Sequence, residues 1–214
     1  MKKFELTSET KINIFGKKLF RIKALISFGD VKAGETGGWV EKEENVNQSG
    51  DAWVYGDAWV YGDAKVSGDA KVSGDAWVYG DAMVFGNAMV SGNAKVSGDA
   101  WVYGNAKVSG DAKVSGDAWV SGDAWVSGDA WVYGNAWVYG DADYATIHGF
   151  GTQFRTTTFF RCKDKKVRVA CGCFFGTIPE FREQVKDTRK GKIAEEYLVI
   201  SDLMEKHFEV KSNE

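Results

Sequence analysis

Asp51-Ala52-Trp53-Val54-Tyr55-Gly56 opens a run of fifteen consecutive hexads of the form (Asp/Asn)-Ala-x-Val-y-Gly that reaches Gly140 without one insertion. Self-similarity at a short fixed period predicts a solenoid. Alternation along a strand puts Ala52 and Val54 on one side and Trp53 and Tyr55 on the other. Ala and Val never vary, so they face a narrow interior. The x and y residues vary, so they face solvent or partners. Gly56 with Asp57 breaks the strand, because Gly accepts positive φ and Asp or Asn bonds its own backbone in tight turns. Three such segments close a triangular coil. Fifteen hexads therefore predict five coils, a prism roughly 24 Å long at about 4.8 Å per stacked strand.

Working outward, residues 1–50 read as an N-terminal β cap, 51–142 as the repeat, and 143–214 as an α+β segment. The array decays at Asp141-Ala142-Asp143-Tyr144. Beyond it, Thr156 to Cys162 and Val167 to Phe175 alternate like a hairpin around the polar turn Lys163-Asp164-Lys165-Lys166. Thr177-Ile178-Pro179-Glu180 is a capping box with an early Pro, which starts a helix ending near Gly191. A second helix is expected from about Ile193 to Phe208, with Ile193, Tyr197, Ile200, Met204 and Phe208 as its apolar stripe. The open ends of a solenoid need caps, and both flanks can serve.

With Val54, Val60 and Val66 as the aliphatic position and Ala52, Ala58 and Ala64 as the small one, the run resembles the left-handed parallel β-helix of hexapeptide-repeat proteins. The fold expected is mainly β: a left-handed parallel β-helix of five triangular coils with an N-terminal β cap and a C-terminal α+β cap. Phe4 to Val46, with Leu19–Leu25 and Gly37-Gly38-Trp39-Val40 through Asn45, is similar to the N-terminal cap of phage and prophage hexapeptide-repeat proteins. Thr158-Phe159-Phe160-Arg161 and Cys171-Gly172-Cys173-Phe174 are similar to the tails of that group. The resemblance implies fold and a phage-type origin; one fold hosts many activities.

A single Pro, 14% aromatic and 27% charged residues describe an ordered chain. No apolar run is long enough to span a bilayer, and the start Met-Lys-Lys-Phe-Glu lacks a signal-peptide core. An odd number of cysteines, three, argues against a secreted disulfide framework. The expected compartment is the cytoplasm, the host's if the chain is phage-encoded. Net charge is +2 over residues 1–50 (9 basic, 7 acidic), −6 over 51–140 (5 and 11) and +1 over 141–214 (13 and 12). The prism's acidity lies in the turn Asp residues and reads as turn chemistry, with Asn87, Asn93, Asn105 and Asn135 as equivalent turn formers. Such a surface argues against direct nucleic-acid binding.

Taking every third hexad sorts the outward pairs by face. The first face carries Trp53/Tyr55, Lys71/Ser73, Met89/Ser91, Lys107/Ser109 and Trp125/Ser127. The second carries Trp59/Tyr61, Trp77/Tyr79, Lys95/Ser97, Lys113/Ser115 and Trp131/Tyr133. The third carries Lys65/Ser67, Met83/Phe85, Trp101/Tyr103, Trp119/Ser121 and Trp137/Tyr139. Large apolar groups are thus gathered into patches, and such patches mark interfaces. Three covers are expected: the C-terminal helices folded back over a face, two or three prisms packed together, or a planar ligand. Hexapeptide-repeat relatives imply a trimer or dimer. Lys95 and Lys113 beside Trp77 and Trp131 suit a nucleotide.

Catalytic constellations are sparse. Hexapeptide-repeat acyltransferases use a His base near a subunit interface, and here His148 is the candidate, read otherwise as a turn residue. His207 falls near a helix end. Two His cannot supply the three ligands of the zinc-dependent carbonic anhydrases of this fold. Cys162, Cys171 and Cys173 are weak zinc candidates, with Cys171 and Cys173 expected on one face of one strand, so neither metal nor cofactor is expected. The function expected is a non-catalytic binding or scaffold protein, in its most concrete form a phage counter-defence or host-takeover factor capturing a host protein or nucleotide signal. The alternatives are an acyltransferase and a structural rod or virion component.

Overall fold

A computed structural model describes residues 2–209. Fifteen two-residue strands, β4–β18, run from Trp53–Val54 to Trp137–Val138, one x-Val pair per hexad. They stack in three parallel sheets that take every third strand, so each face of the prism carries the residues that the repeat assigns to it. Val54 pairs with Val72, Val60 with Val78 and Val66 with Val84, and the same offset holds down the array. Every Ala and Val of the fifteen hexads is fully buried. The turn glycines hold positive φ, for example +66° at Gly98, where a Cβ would lie 2.9 Å from the backbone N of Gly116. Gly is therefore required twice at that position, for the dihedral and for the neighbouring coil.

The coil begins earlier than the perfect repeat. β1 (Phe4–Ile12), β2 (Lys18–Ala24) and β3 (Thr36–Val40) form an antiparallel N-terminal meander. β3 then pairs in parallel with β5, placing Val40 on Val60, and Val46 bridges in parallel to Val66. Residues assigned to the cap thus supply much of an additional coil. The second face becomes one eight-stranded sheet running from β1 to β17.

At the other end the expected hairpin is a four-stranded antiparallel sheet: β19 (Tyr144–Phe150), β20 (Arg155–Arg161), β21 (Val167–Cys171) and β22 (Phe174–Thr177). The strand expected from Val167 to Phe175 is broken at Gly172, whose φ of +60° turns the chain back. Tyr144–Phe150, for which the sequence names no strand, pairs with β20. Helix α1 (Ile178–Thr188) is capped by Thr177, whose hydroxyl accepts from Glu180 N while the Glu180 carboxylate accepts from Thr177 N at 2.7 Å. It stops before Gly191, which begins α2 (Gly191–Glu209). Phe160, Cys162 and Ala170 from this sheet seal the prism core. Phe159 and Val169 face away and pack with Phe181, Val185, Tyr197, Ile200, Met204 and Phe208 of the helices. The helices therefore cover the C-terminal sheet and not a prism face, correcting the expectation that they fold back. No helix among the described residues is long and apolar enough to cross a membrane.

Most hydrogen bonds between coils point one way: the N–H groups of the turn, x and y residues donate to the next coil, and only the Val N–H returns to the x carbonyl of the coil before. Trp53 N donates to Ala70 O, Tyr55 N to Val72 O and Lys71 N to Ala88 O, and so on to the last coil. The N-terminal end is therefore richer in bare carbonyls and the C-terminal end in bare N–H groups. Donors meet the first: Lys3 Nζ reaches Gly50 O (3.1 Å) and Ala52 O (2.9 Å), and Asn45 Nδ2 reaches Gly62 O and Ala64 O. Acceptors meet the second: Asp141 takes Trp125 N (2.7 Å), Thr158 Oγ1 takes Trp131 N (3.0 Å), and Asp143 takes Tyr139 N and Gly140 N.

The Asn turns also have a charge logic that composition hid. Asn87 Nδ2 donates to Asn105 Oδ1, Asn105 Nδ2 to Asp123 Oδ1 and Asn93 Nδ2 to Asp111 Oδ1, each across one coil. An Asn in a column of carboxylates supplies a donor where a further Asp would supply only repulsion. Asn105→Asp is expected to lower stability by about 0.5–1.5 kcal/mol, a loss that shrinks in high salt. Thermal melts at two ionic strengths check this.

Lys3 is 2% exposed, and burial lowers its pKa to about 8, against the pull of Asp51 and Asp69. Its neutral amine still donates to the two carbonyls. The unfolded chain holds this proton up to the ordinary value of 10.5, so between those two values the unfolded state binds more protons and stability rises with pH. Relative to Lys3→Met, the wild-type chain should gain on the order of 1–3 kcal/mol between about pH 7 and pH 10. Denaturant unfolding of both proteins at the two pH values reads the difference; parallel curves would refute it.

Candidate functional site: the outward faces of the prism

Stacked coils repeat their side chains at nearly the strand spacing, and this decides what each face can present. On the third face Trp101 and Trp119 stack at 5.2 Å and 11°, and Phe85 and Tyr103 at 5.0 Å and 3°. Rings at this separation shield one another, so Phe85, Trp101, Tyr103 and Trp119 are half-buried, as is Met83. The stack then ends. Lys163, from the turn after β20, sets its ammonium 4.0 Å from the centre of the Trp119 ring and donates to Asp117 O at 3.0 Å. Trp137 and Tyr139 follow below and are 42% and 65% exposed. Met83 through Tyr139 thus form a flat column whose lower end is open.

The second face is arranged differently. Trp59 and Trp77 stack at 5.0 Å and 2°, and Tyr61 and Tyr79 at 5.1 Å and 2°. Lys95 Nζ lies 4.2 Å from the Trp77 ring and Lys113 Nζ 5.6 Å from the Trp131 ring. The two lysines close the aromatic runs from within the face by cation–π contact. A nucleotide base on Trp77 would have to displace an ammonium already seated there. Tyr61 is buried with Leu19 and Trp39 of the N-terminal meander, and burial pushes its hydroxyl up to about 12. Tyr133 is met from the other end by Phe175 at 4.5 Å.

The first face corrects the assumption that every x residue is outward and free. Trp53 is fully buried, with Phe4 and Phe28 set edge-on to it at 5.8 and 5.4 Å. Lys71 pairs with Asp30. Only the lower part is open, where Trp125 is 53% exposed and its indole N–H donates to Ser109 at 2.9 Å.

The chemical candidates are scattered. His148 lies on β19, not in a turn, exposed and 3.1 Å from Thr156 Oγ1. His207 sits in the last turn of α2, edge-on to Phe208 at 5.1 Å. Cys162 seals the prism core, and burial pushes its thiol up to about 12. Cys171 borders the helix-side core and accepts from Thr157 Oγ1 at 3.1 Å, whereas Cys173 is exposed beyond Gly172. The three thiols therefore point to three environments, and Cys171 and Cys173 do not share a strand face. Among the described residues no cluster of three or more His, Cys, Asp or Glu is placed to hold a metal.

A family model described as the YdcK beta-solenoid repeat matches residues 76–92, just under one coil of the prism. No curated protein matches the chain. With coils stacked in parallel along the whole array, the chain is a repeat β-solenoid protein, similar over that segment to the YdcK repeat.

Proposed function

We propose that this chain is a non-catalytic binding or scaffold protein that works through the third face of its prism. The observation that carries the reading is the column from Met83 through Trp101 and Trp119 to Trp137 and Tyr139, which no helix among the described residues covers and whose last two rings are substantially exposed. Trp and Tyr are favoured anchors of interfaces because they bring large area at low entropic cost. A flat face of stacked rings suits another flat apolar surface, so self-association into a dimer or trimer is the first partner proposed. The likeness of both flanks to phage and prophage hexapeptide-repeat proteins supports a phage origin. On that origin, a second partner would be a host protein or nucleotide signal held against the same face.

Light scattering tests the reading. The native mass of the wild-type chain should exceed one chain, alone or after mixing with cell extract and a nucleotide pool. The triple variant Trp101→Ser, Trp119→Ser, Trp137→Ser should return to one chain with an unchanged circular-dichroism spectrum. A wild-type protein that stays a single chain under every condition would refute it.

A further inference from the structure

We propose that the cleft between the C-terminal sheet and helices α1 and α2 is a binding site for a phosphate monoester bearing a flat apolar group. The inference does not rest on the prism face. The cleft has a volume of about 330 Å³, at the lower end of small-molecule sites. It is lined by Arg155 at the start of β20, Arg189 just past α1, Tyr197 of α2 and the rings of Phe174 and Phe181. No carboxylate is among the described residues that line it.

The arginines decide its character. The chain has six. Arg21 pairs with Asp57, Arg161 with Asp143, Arg168 with Asp164, and Arg182 with both Asp202 and Glu205. The two that hold no carboxylate among the described residues are Arg155 and Arg189, and both line this cleft. Guanidinium forks match phosphate oxygens in bidentate geometry, and two of them balance a dianion.

Two glycines shape the walls. A Cβ on Gly172 would stand 2.4 Å from Arg155 Nη1, and one on Gly151 2.4 Å from the Tyr197 hydroxyl oxygen. Both positions have positive φ, +60° and +71°, so the backbone there is committed to letting these side chains in. Tyr197 donates to Phe150 O at 3.2 Å, which fixes its ring beside Phe181, edge-on at 5.7 Å. The cleft thus brings cationic and aromatic groups to one lining: the anion would meet the guanidiniums and the flat group the rings. Exposed Cys173 stands on the wall and reports occupancy.

The test uses the full chain and phenyl phosphate as the probe. Calorimetric titration should give saturable binding in the millimolar range or tighter, with phenol and inorganic phosphate each at least tenfold weaker. The double variant Arg155→Gln, Arg189→Gln should lose at least tenfold in affinity while keeping the wild-type melting temperature. In the wild-type protein, phenyl phosphate should slow alkylation of Cys173 by neutral iodoacetamide, read by mass spectrometry. Trp119→Ser should leave all of these unchanged, which separates this site from the prism face. Absence of saturable binding would overturn the proposal. So would binding that neither protects Cys173 nor depends on the two arginines.

Discussion

The hydrogen bond from each coil to the next is the constraint on which the rest of this protein depends. In each hexad the N–H groups of the turn, x and y residues point toward the C-terminal end and the Gly, Ala and Val carbonyls toward the N-terminal end, while the Val N–H and the x carbonyl alternate the other way, as parallel pairing requires. A prism of this kind has two chemically different ends. An unpaired buried backbone group is costly, so the flanks must differ as well. Lys3 and Asn45 bring N–H donors to the first coil, and Asp141, Asp143 and Thr158 bring oxygen acceptors to the last. The caps could not be exchanged. Their apolar residues close the core; their polar residues give each end its sign.

The same strict offset governs the outside. Identical positions fall about one strand spacing apart, which is near the stacking distance of aromatic rings and close enough for like charges to repel. Aromatic residues therefore thrive in columns, as Trp59 on Trp77 and Trp101 on Trp119 do. In two of the three turn columns Asn87, Asn93 and Asn105 interleave donors among the carboxylates, whereas Asp63, Asp81, Asp99 and Asp117 follow one another in the third. Lys pairs also occur in register, at Lys95 and Lys113, but these lean apart onto Trp77 and Trp131. The variable positions of the hexad are thus a record of what tolerates being stacked on itself.

Much of this was legible because the interior is written in two residue types. Ala and Val at fixed positions imply the core, the three faces and the pairing of Trp101 with Trp119 without further information. The Thr177 box placed α1 for an equally local reason. What was not legible depends on contacts distant in sequence. Val40 and Val46 escaped the repeat because Val46 and Val54 are spaced by eight residues instead of six, although both valines sit in coil register. Trp53 read as outward until Phe4 and Phe28 closed over it. β19 was missed because Tyr144–Phe150 is only half-buried and alternates weakly. The C-terminal cleft joins Arg155, Arg189 and Tyr197 from three separate elements, and no spacing announces it.

The translational exactness of the coils makes the prism a ruler. Its caps are end-specific, and the coils between them are interchangeable in register. Gaining or losing one coil would move the C-terminal unit away from or toward the N-terminal meander by one step of about 4.8 Å, with no rotation of register to correct. Anything recognised at the two ends together is therefore measured in integral steps, and the length of the array sets the gauge.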